Sequence, residues 1–199
     1  MKLLIATHNP AKVAEFKTLM TDWPFELVSL TDLGIASDVE ETGKSFEENA
    51  LIKANFFHKL TELPTLSDDG GLEIDALNGE PGVKSRRWRG YKMTDQEMVD
   101  YALERLKDVP PEKRTAKMRV VLCLKMPQHK PIFGSAALSG IITAKQERPI
   151  TEGYPFRSIL FIPKLNKMFT DFTEEESARF SQRAAALRQL RLQTATRRS

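Results

Sequence analysis

The sequence has almost no cysteine: its 199 residues include only Cys123, so no disulfide within the chain can stabilise the fold. Cys123 lies in the apolar run 120–124 and no charged residue adjoins it, which is typical of a small core residue rather than a nucleophile. A lone buried thiol is typical of a reducing compartment, and we expect a cytoplasmic protein. Because 41% of the residues are hydrophobic, the chain can form a core without disulfides.

Long apolar segments are absent as well. No run approaches the roughly 18 apolar residues that a membrane span needs, and the apolar stretch 3–6 is too short for a secretion signal. The net charge is only +3, and the sequence lacks the broad basic face with stacking aromatics that nucleic-acid binders use. We therefore expect neither a membrane nor a nucleic acid as a partner.

The order of the predicted elements indicates a mixed α/β fold with helices at both ends. Ser/Thr-x-x-Glu capping boxes predict helix starts at Ser45, Thr94 and Thr173, the last helix running to about residue 192, and Asn9-Pro10 predicts another start. We expect one bilobed domain over residues 1–192 and a basic tail over 193–199. Apolar runs predict strands at 3–6, 25–30, 63–67, 118–126, 133–143 and 159–162.

The turn 7–12 links the first predicted strand to a helix and is a candidate phosphate site. Free N–H groups and the helix dipole attract anions at a helix start, and Lys12 adds a positive charge one turn into the helix. The glycines of a Walker loop are missing, so this is not a P-loop. Taken alone, the segment is a weak signal, and a plain helix cap is the more common interpretation.

Two acidic pairs accompany this turn. Glu40-Glu41 precedes the second helix, and Asp68-Asp69 follows a predicted strand, where α/β sheets place ligands. A divalent cation relieves the repulsion between adjacent carboxylates, and Lys53 could meet phosphates from another side. Each feature also has a plain interpretation: solvent-facing charges at 40–41, a turn over residues 68–71, or a surface lysine at 53. Together they predict phosphoryl chemistry on a hard cation, Mg²⁺ with Mn²⁺ as a possible substitute.

Three segments, 6–12, 40–54 and 66–85, resemble the inosine triphosphate pyrophosphatase family, the diphosphatases of noncanonical purine nucleoside triphosphates. The resemblance runs to about residue 190. It implies an elongated α/β fold in which two lobes flank a nucleotide cleft, and it implies a homodimer. It also implies hydrolysis of triphosphates such as dITP, ITP and XTP between the α and β phosphates, which removes them from the nucleotide pool.

The resemblance also implies roles for individual residues. Asp69 would activate water as the general base or as a metal ligand, and Glu40 or Glu41 would share the metal with it and with Asp68. Lys12 and Lys53 would bind phosphates. The other positions implied to contact substrate are Thr7, His8, Asn9, Gly70, Tyr154, Phe156, Arg157, Ser177, Gln182 and Arg183.

Departures from the family pattern lie in the C-terminal half. Arg157 stands where an acidic residue is usual, Ser177 where a lysine is usual, and Gln182 where a histidine is usual. We hypothesise that Arg157 compensates for the two lost cations by reaching the nucleotide; the alternative is that it points to solvent. The departures leave two alternatives open. One is a diphosphatase with altered base specificity, and the other is a nucleotide-binding protein with little or no turnover.

Overall fold

The computed structural model describes residues 1–196. Seven strands are present: β1 (Lys2–Ala6), β2 (Glu26–Ser29), β3 (Thr65–Ile74), β4 (Thr115–Lys125), β5 (Ile132–Ile142), β6 (Leu160–Ile162) and β7 (Lys167–Met168). Five α-helices accompany them: α1 (Pro10–Leu19), α2 (Phe46–Thr61), α3 (Asp95–Arg105), α4 (Glu174–Phe180) and α5 (Gln182–Thr196). None of the described helices is both long enough and apolar enough to cross a membrane.

The strands form one mixed sheet in the order β2-β1-β3-β4-β5-β6-β7. Strands β2, β1 and β3 run parallel, with Leu4 opposite both Val28 and Thr65. Strand β6 pairs antiparallel with β5 on one side and with β7 on the other. Parallel neighbours need helical crossovers, and α1 and α2 are those crossovers. The predicted mixed α/β fold is therefore confirmed.

The chain forms two compact units, and both are discontinuous in sequence. The first contains residues 1–69, 120–136 and 182 onward, and the second contains residues 70–119 and 137–181. In the first unit, side chains alternate along β1: Leu3 and Ile5 pack with α1 and α5, whereas Leu4 and Ala6 pack with Phe57 of α2. This alternation places helices on both faces of its strands.

The second unit has its own core, built from β3, α3 and the segment 156–169. Both of its predicted capping boxes are complete: Thr94 and Glu97 begin α3, and Thr173 and Glu176 begin α4.

Three predicted elements differ from the structure. The segment Asp68 to Gly71 is not a turn, because β3 continues through it to Ile74. The single helix predicted from Thr173 is two helices, separated by Ser181 in an extended conformation with ψ of 149°. The two-residue strand β7 was not predicted.

The last helix was predicted to end at about residue 192, and α5 continues to Thr196, since no glycine or proline interrupts it after Leu192. The basic tail over 193–199 stays a prediction. Residues 197–199, which include two arginines of that tail, lie outside the described residues.

Candidate active site

The backbone N–H groups at the start of α1 are capped by nearby side chains. The Asn9 side chain accepts hydrogen bonds from the N–H groups of Ala11 (2.9 Å) and Lys12 (3.3 Å), and Thr7 Oγ1 accepts one from the Asn9 N–H. Pro10 has no N–H to offer. The sequence had suggested that these amides are free to bind a phosphate, but in the structure they are already hydrogen-bonded. What the helix start offers an anion is its dipole and the Lys12 ammonium.

His8, a further predicted substrate residue, is engaged with the protein. Its Nε2 lies 2.9 Å from the carbonyl oxygen of Ser37, and its ring meets Phe57 edge-on at 6.2 Å. His8 thereby connects the turn before α1 to the loop that precedes α2.

Asp68 and Asp69 point in opposite directions, because successive side chains of an extended strand alternate between its faces. Leu66 packs in the same core cluster as α1 and α5, and Asp68 is two residues further on the same side. Ser67 donates a hydrogen bond to the carbonyl oxygen of Ala50 in α2, and Asp69 follows on that side. The two aspartates therefore do not form the shared carboxylate pair expected from their adjacency.

Asp69 faces Lys53 and Glu41. Lys53 Nζ lies 3.1 Å from Asp69 Oδ1 and 2.6 Å from Glu41 Oε1, and it is largely buried. Burial raises the pKa of the Asp69 carboxyl, and the charge of Lys53 opposes that rise. Burial acts to lower the pKa of Lys53, but the carboxylates of Asp69 and Glu41 outweigh it and the pKa is raised.

The second oxygen of Asp69 is in a different situation. Oδ2 is buried and has no hydrogen-bond partner within residues 1–196. Buried polar atoms are normally paired, so an exception at this position indicates a place for a ligand, a water or an ion.

Glu41 is positioned by the loop before α2. The Asn49 side chain, 2% exposed, accepts a hydrogen bond of 2.7 Å from the Gly43 N–H and so holds the loop against the helix. A Cβ at Gly43 would lie 2.7 Å from the Glu48 Cβ, so only glycine fits there. Glu41 is the member of the acidic pair that reaches Lys53, and Glu40 is exposed.

Asp68 is surrounded by cations. Its Oδ1 pairs with Lys12 Nζ, and its Oδ2 accepts from Arg183 Nε at 2.8 Å. Arg183 Nη1 also donates to Glu15 Oε2 at 2.8 Å. Burial acts to raise the pKa of Asp68, but Arg183 and Lys12 hold it well below its usual range. Because both oxygens are occupied by cations, the expectation that Asp68 is a metal ligand is not supported.

The other predicted substrate residue of the first unit is Gln182, which begins α5 beside Arg183. It is 5% exposed, and its Oε1 has no hydrogen-bond partner in the described part of the chain.

The remaining predicted substrate residues belong to the second unit. The Arg157 guanidinium lies over the Tyr154 ring at 3.7 Å and over the Phe169 ring at 4.5 Å. Phe156 is buried in the core, Ser177 is half-buried in α4, and Gly70 lies within β3. Arg157 is therefore half-buried against aromatic rings rather than extended into solvent.

Sequence reasoning missed two contributors to these clusters. Glu15 carried no signal, because a lone glutamate on a helix resembles any solvent-facing charge. Asn49 lies one helical turn before Lys53 in α2, and its hydrogen bond from the Gly43 N–H was not foreseen. A signal was present in Gly43 itself, since a close approach of backbone and side chain leaves room for glycine alone.

Comparison with known proteins gives consistent results. The family model described as the Ham1 family matches residues 3–193. The dITP/XTP pyrophosphatase of Escherichia coli (strain K12) is 38% identical over 191 residues, which cover 95% of this chain and 95% of that protein. The protein of the same name from Halalkalibacterium halodurans is 37% identical over 187 residues, which cover 94% of this chain and 95% of that protein.

Solved structures extend the likeness to three dimensions. The Staphylococcus aureus Ham1 protein has a TM-score of 0.83 and 29% identity, covering 99% of this chain and 100% of that chain. The crystal structure of the nucleoside-triphosphatase, dITP/XTP pyrophosphatase, from Mycobacterium abscessus has a TM-score of 0.72 and 37% identity. The match covers 96% of this chain and 98% of that chain. Because the family model matches nearly the whole of this chain, the chain belongs to the Ham1 family.

Proposed function

We propose that the protein hydrolyses the triphosphates of noncanonical purine nucleosides, such as dITP, ITP and XTP, to a nucleoside monophosphate and pyrophosphate. Membership of the Ham1 family and relatives named dITP/XTP pyrophosphatase support the substrate class. The observation that carries the chemistry is the Lys53 ammonium held between Glu41 and Asp69, beside the unpaired Asp69 Oδ2.

In this reaction a water oxygen bonds to the α-phosphorus, the bond from that phosphorus to the bridging α–β oxygen breaks, and pyrophosphate leaves. Asp69 Oδ2 is the acceptor for the water proton, because no protein donor occupies it. Lys53 holds the other oxygen of the same carboxylate at 3.1 Å and so fixes its orientation. Lys12 and Lys53 neutralise charge on the phosphates.

A magnesium ion fits the donors that are present. Mg²⁺ is usually bound by one or two carboxylates together with substrate phosphates, and Glu41 and Asp69 are those carboxylates, with Glu40 adjacent. Within residues 1–196 no cluster of three or more His, Cys, Asp or Glu side chains is arranged to hold a metal unaided. When bound, the ion supplies neutralisation of phosphate charge and a more acidic water, and Mn²⁺ suits the same oxygen ligands.

We further infer that the protein is a homodimer and acts in the cytoplasm. The resemblance to inosine triphosphate pyrophosphatases supports the dimer, and the single buried thiol supports a reducing compartment. Sedimentation velocity tests the dimer: a species of twice 22.6 kDa is expected, and a purely monomeric protein at micromolar concentration would contradict it.

The test of the activity is product analysis with ITP, XTP, dITP, GTP and ATP in buffer that contains Mg²⁺ and ¹⁸O-labelled water. We expect pyrophosphate and a monophosphate, with the label in the monophosphate because water attacks the α-phosphorus. Nucleotide binding without pyrophosphate release would instead indicate a binding protein. Equal turnover of GTP and ITP would indicate altered base specificity.

A further inference from the structure

The first unit contains a cavity of about 440 Å³ that lies outside the candidate active site. Three parts of the chain enclose it: the connection between α1 and β2, the strands β4 and β5 with their connection, and the C-terminal half of α5. The volume is within the roughly 300–1,000 Å³ that small-molecule pockets usually have. The described residues that line the cavity include none of those proposed for catalysis, so any ligand it binds is a second ligand.

The walls of this cavity are mainly apolar. Trp23 and Phe25 both line it, with their ring centroids 6.3 Å apart, and both pack against the core of the first unit. The other apolar lining residues are Pro24, Leu124, Met126 and Ile132. Such walls suit an apolar ligand body, but they offer a nucleoside or a sugar few hydrogen-bond partners.

The charge at the rim of the cavity is positive. Lys130 and Arg191 line the cavity and are exposed, as is the neighbouring lining residue His129, and none of the described lining residues is acidic. Arg191 pairs with Asp22, but both side chains are more than half exposed, so the ion pair is weak and a second carboxylate can compete for the arginine. An apolar interior with a cationic rim is complementary to a molecule that has an apolar body and an anionic head.

We propose that this cavity binds a medium-chain fatty acid, with the hydrocarbon chain against Trp23 and Phe25 and the carboxylate at Arg191 and Lys130. A phosphate or a nucleotide fits less well, because most of the lining is apolar and would leave its polar groups without partners. A neutral lipid fits less well too, because it would make no use of the cations at the rim. Binding at this site does not depend on the proposed diphosphatase activity.

The two tryptophans of the chain allow a direct test of the location. Trp23 lines the cavity, whereas Trp88 belongs to the second unit and packs on Tyr101 there. The probe is undecanoate with a terminal bromine, because bromine quenches tryptophan fluorescence only at short range. In Trp88→Phe protein the probe should quench the fluorescence of Trp23 saturably, and in Trp23→Phe protein it should leave Trp88 unquenched. Equal quenching of both tryptophans, or no saturable quenching of Trp23, would overturn the proposal.

Calorimetry separates the apolar part of the site from the charged part. Affinity should rise about fourfold with each added CH₂ from hexanoate to decanoate, the value of burying one such group. Arg191→Met and Lys130→Met should each weaken decanoate binding about two- to fivefold, the scale of an exposed ion pair, and leave decanol binding unchanged. Arg188→Met, which removes an exposed cation of the same helix that does not line the cavity, is the matched control and should bind decanoate normally. Affinity that is independent of chain length, or an equal loss for decanol, would contradict the proposal.

Other occupants of the cavity would give different results. A nonhydrolysable ITP analogue should not displace the brominated probe from Trp23; displacement would make the cavity a nucleotide site and would refute the fatty-acid assignment. Decanoate should leave the sedimentation coefficient unchanged, and dissociation of an oligomer by decanoate would show that a second copy of the chain covers the cavity instead. If decanoate binds as expected but no nucleotide releases pyrophosphate, the proposed function fails while the fatty-acid site stands.

Discussion

At the residue scale, the two oxygens of Asp69 have different surroundings. Oδ1 is held by Lys53, whereas Oδ2 is buried and has no hydrogen-bond partner within residues 1–196. Leaving a buried acceptor unpaired is unfavourable in the free protein, and a bound water or ion removes that penalty. The asymmetry separates an oxygen that fixes orientation from one that is available for chemistry.

Replacing Asp69 with asparagine tests this assignment. The change keeps the shape and removes the charge and basicity, so kcat for ITP should fall by at least about a hundredfold. Thermal melting should show a folded protein. Asp38→Asn, at an exposed loop position, is the control and should have normal kcat. Near-normal turnover in folded Asp69→Asn protein would contradict the role.

Arg157 provides a second residue-scale prediction, which tests the compensation hypothesis. Its guanidinium stacks on Tyr154 and Phe169, and an arginine held in this way can present its remaining donors to a ligand. Arg157→Ala should lower kcat/KM for the best substrate by about tenfold or more, the value of a charged hydrogen bond. Adding Ser177→Lys and Gln182→His should partly restore it.

The control is Arg179→Ala, which removes another arginine that lies over an aromatic ring, that of Phe180 at 5.0 Å. It should leave kcat/KM unchanged for ITP, XTP, GTP, dUTP and ATP. If Arg157→Ala behaves in the same way for all five, the compensation hypothesis is wrong.

The sequence was most informative where residue type and spacing carry the chemistry. The sequence analysis predicted a phosphate-binding lysine and acidic metal ligands in separate segments. The structure brings three of these residues together, namely Lys53, Glu41 and Asp69. The contacts of Arg183 could not be predicted from local sequence, because it is 115 residues from Asp68 and 168 residues from Glu15. Such contacts exist only after the helices have packed.

At the element scale, β3 explains why the turn prediction failed. Aspartate and glycine are poor strand formers, and Asp-Gly is a common turn sequence. Here the segment lies in a strand between β1 and β4, and cations on both faces compensate the two buried carboxylates. Tertiary contacts therefore override local propensity.

The break between α4 and α5 has a similar cause. The capping box at Thr173 predicted the start of a helix correctly, but nothing in the composition marks its end. Ser181 is fully buried and extended, and it lets α5 begin with Gln182 and the buried Arg183. A continuous helix would present these two side chains in other directions.

Gly134 is the point at which β5 meets α5. A Cβ there would overlap the carbonyl oxygen of Ala186, which is backbone and cannot rotate away. Gly134→Ala should therefore lower the free energy of unfolding by about 1–3 kcal/mol, as overpacking does. Urea unfolding measures this, and Ala137→Ser, which adds one atom at an exposed position of β5, should change stability little. Equal stability of both variants would contradict the close approach.

At the scale of the whole molecule, the metal and the nucleotide should bind together. In the proposed site, Glu41 and Asp69 would supply only part of an octahedral ligand set, and Lys53, which pairs with both carboxylates, would compete with the ion until phosphate is present. Calorimetry should show weak Mg²⁺ binding to the protein alone and much tighter binding with a nonhydrolysable nucleotide. Excess chelator should abolish turnover. Tight Mg²⁺ binding without nucleotide, or full turnover in chelator, would contradict this view.

Cys123 reports on opening of the first unit. The thiol is buried, and burial raises its pKa to about 12, so the reactive thiolate is scarce at pH 8 in the folded protein. We expect very slow reaction with a thiol reagent under native conditions and rapid reaction in urea, where the pKa returns to its usual value. Rapid labelling of the native protein would show that the surroundings of β4 open readily.

The helix that carries Arg183 comes late in the chain, after all of the second unit. A ribosome makes β1, α1 and β3 first, so nascent Asp68 has Lys12 as a cation partner but not yet Arg183. Over the same interval the apolar faces of Ile5 and Leu66 lack the covering side chains of α5. The second unit should therefore fold first during translation, leaving the incomplete first unit as a substrate for chaperones until α5 has been synthesised.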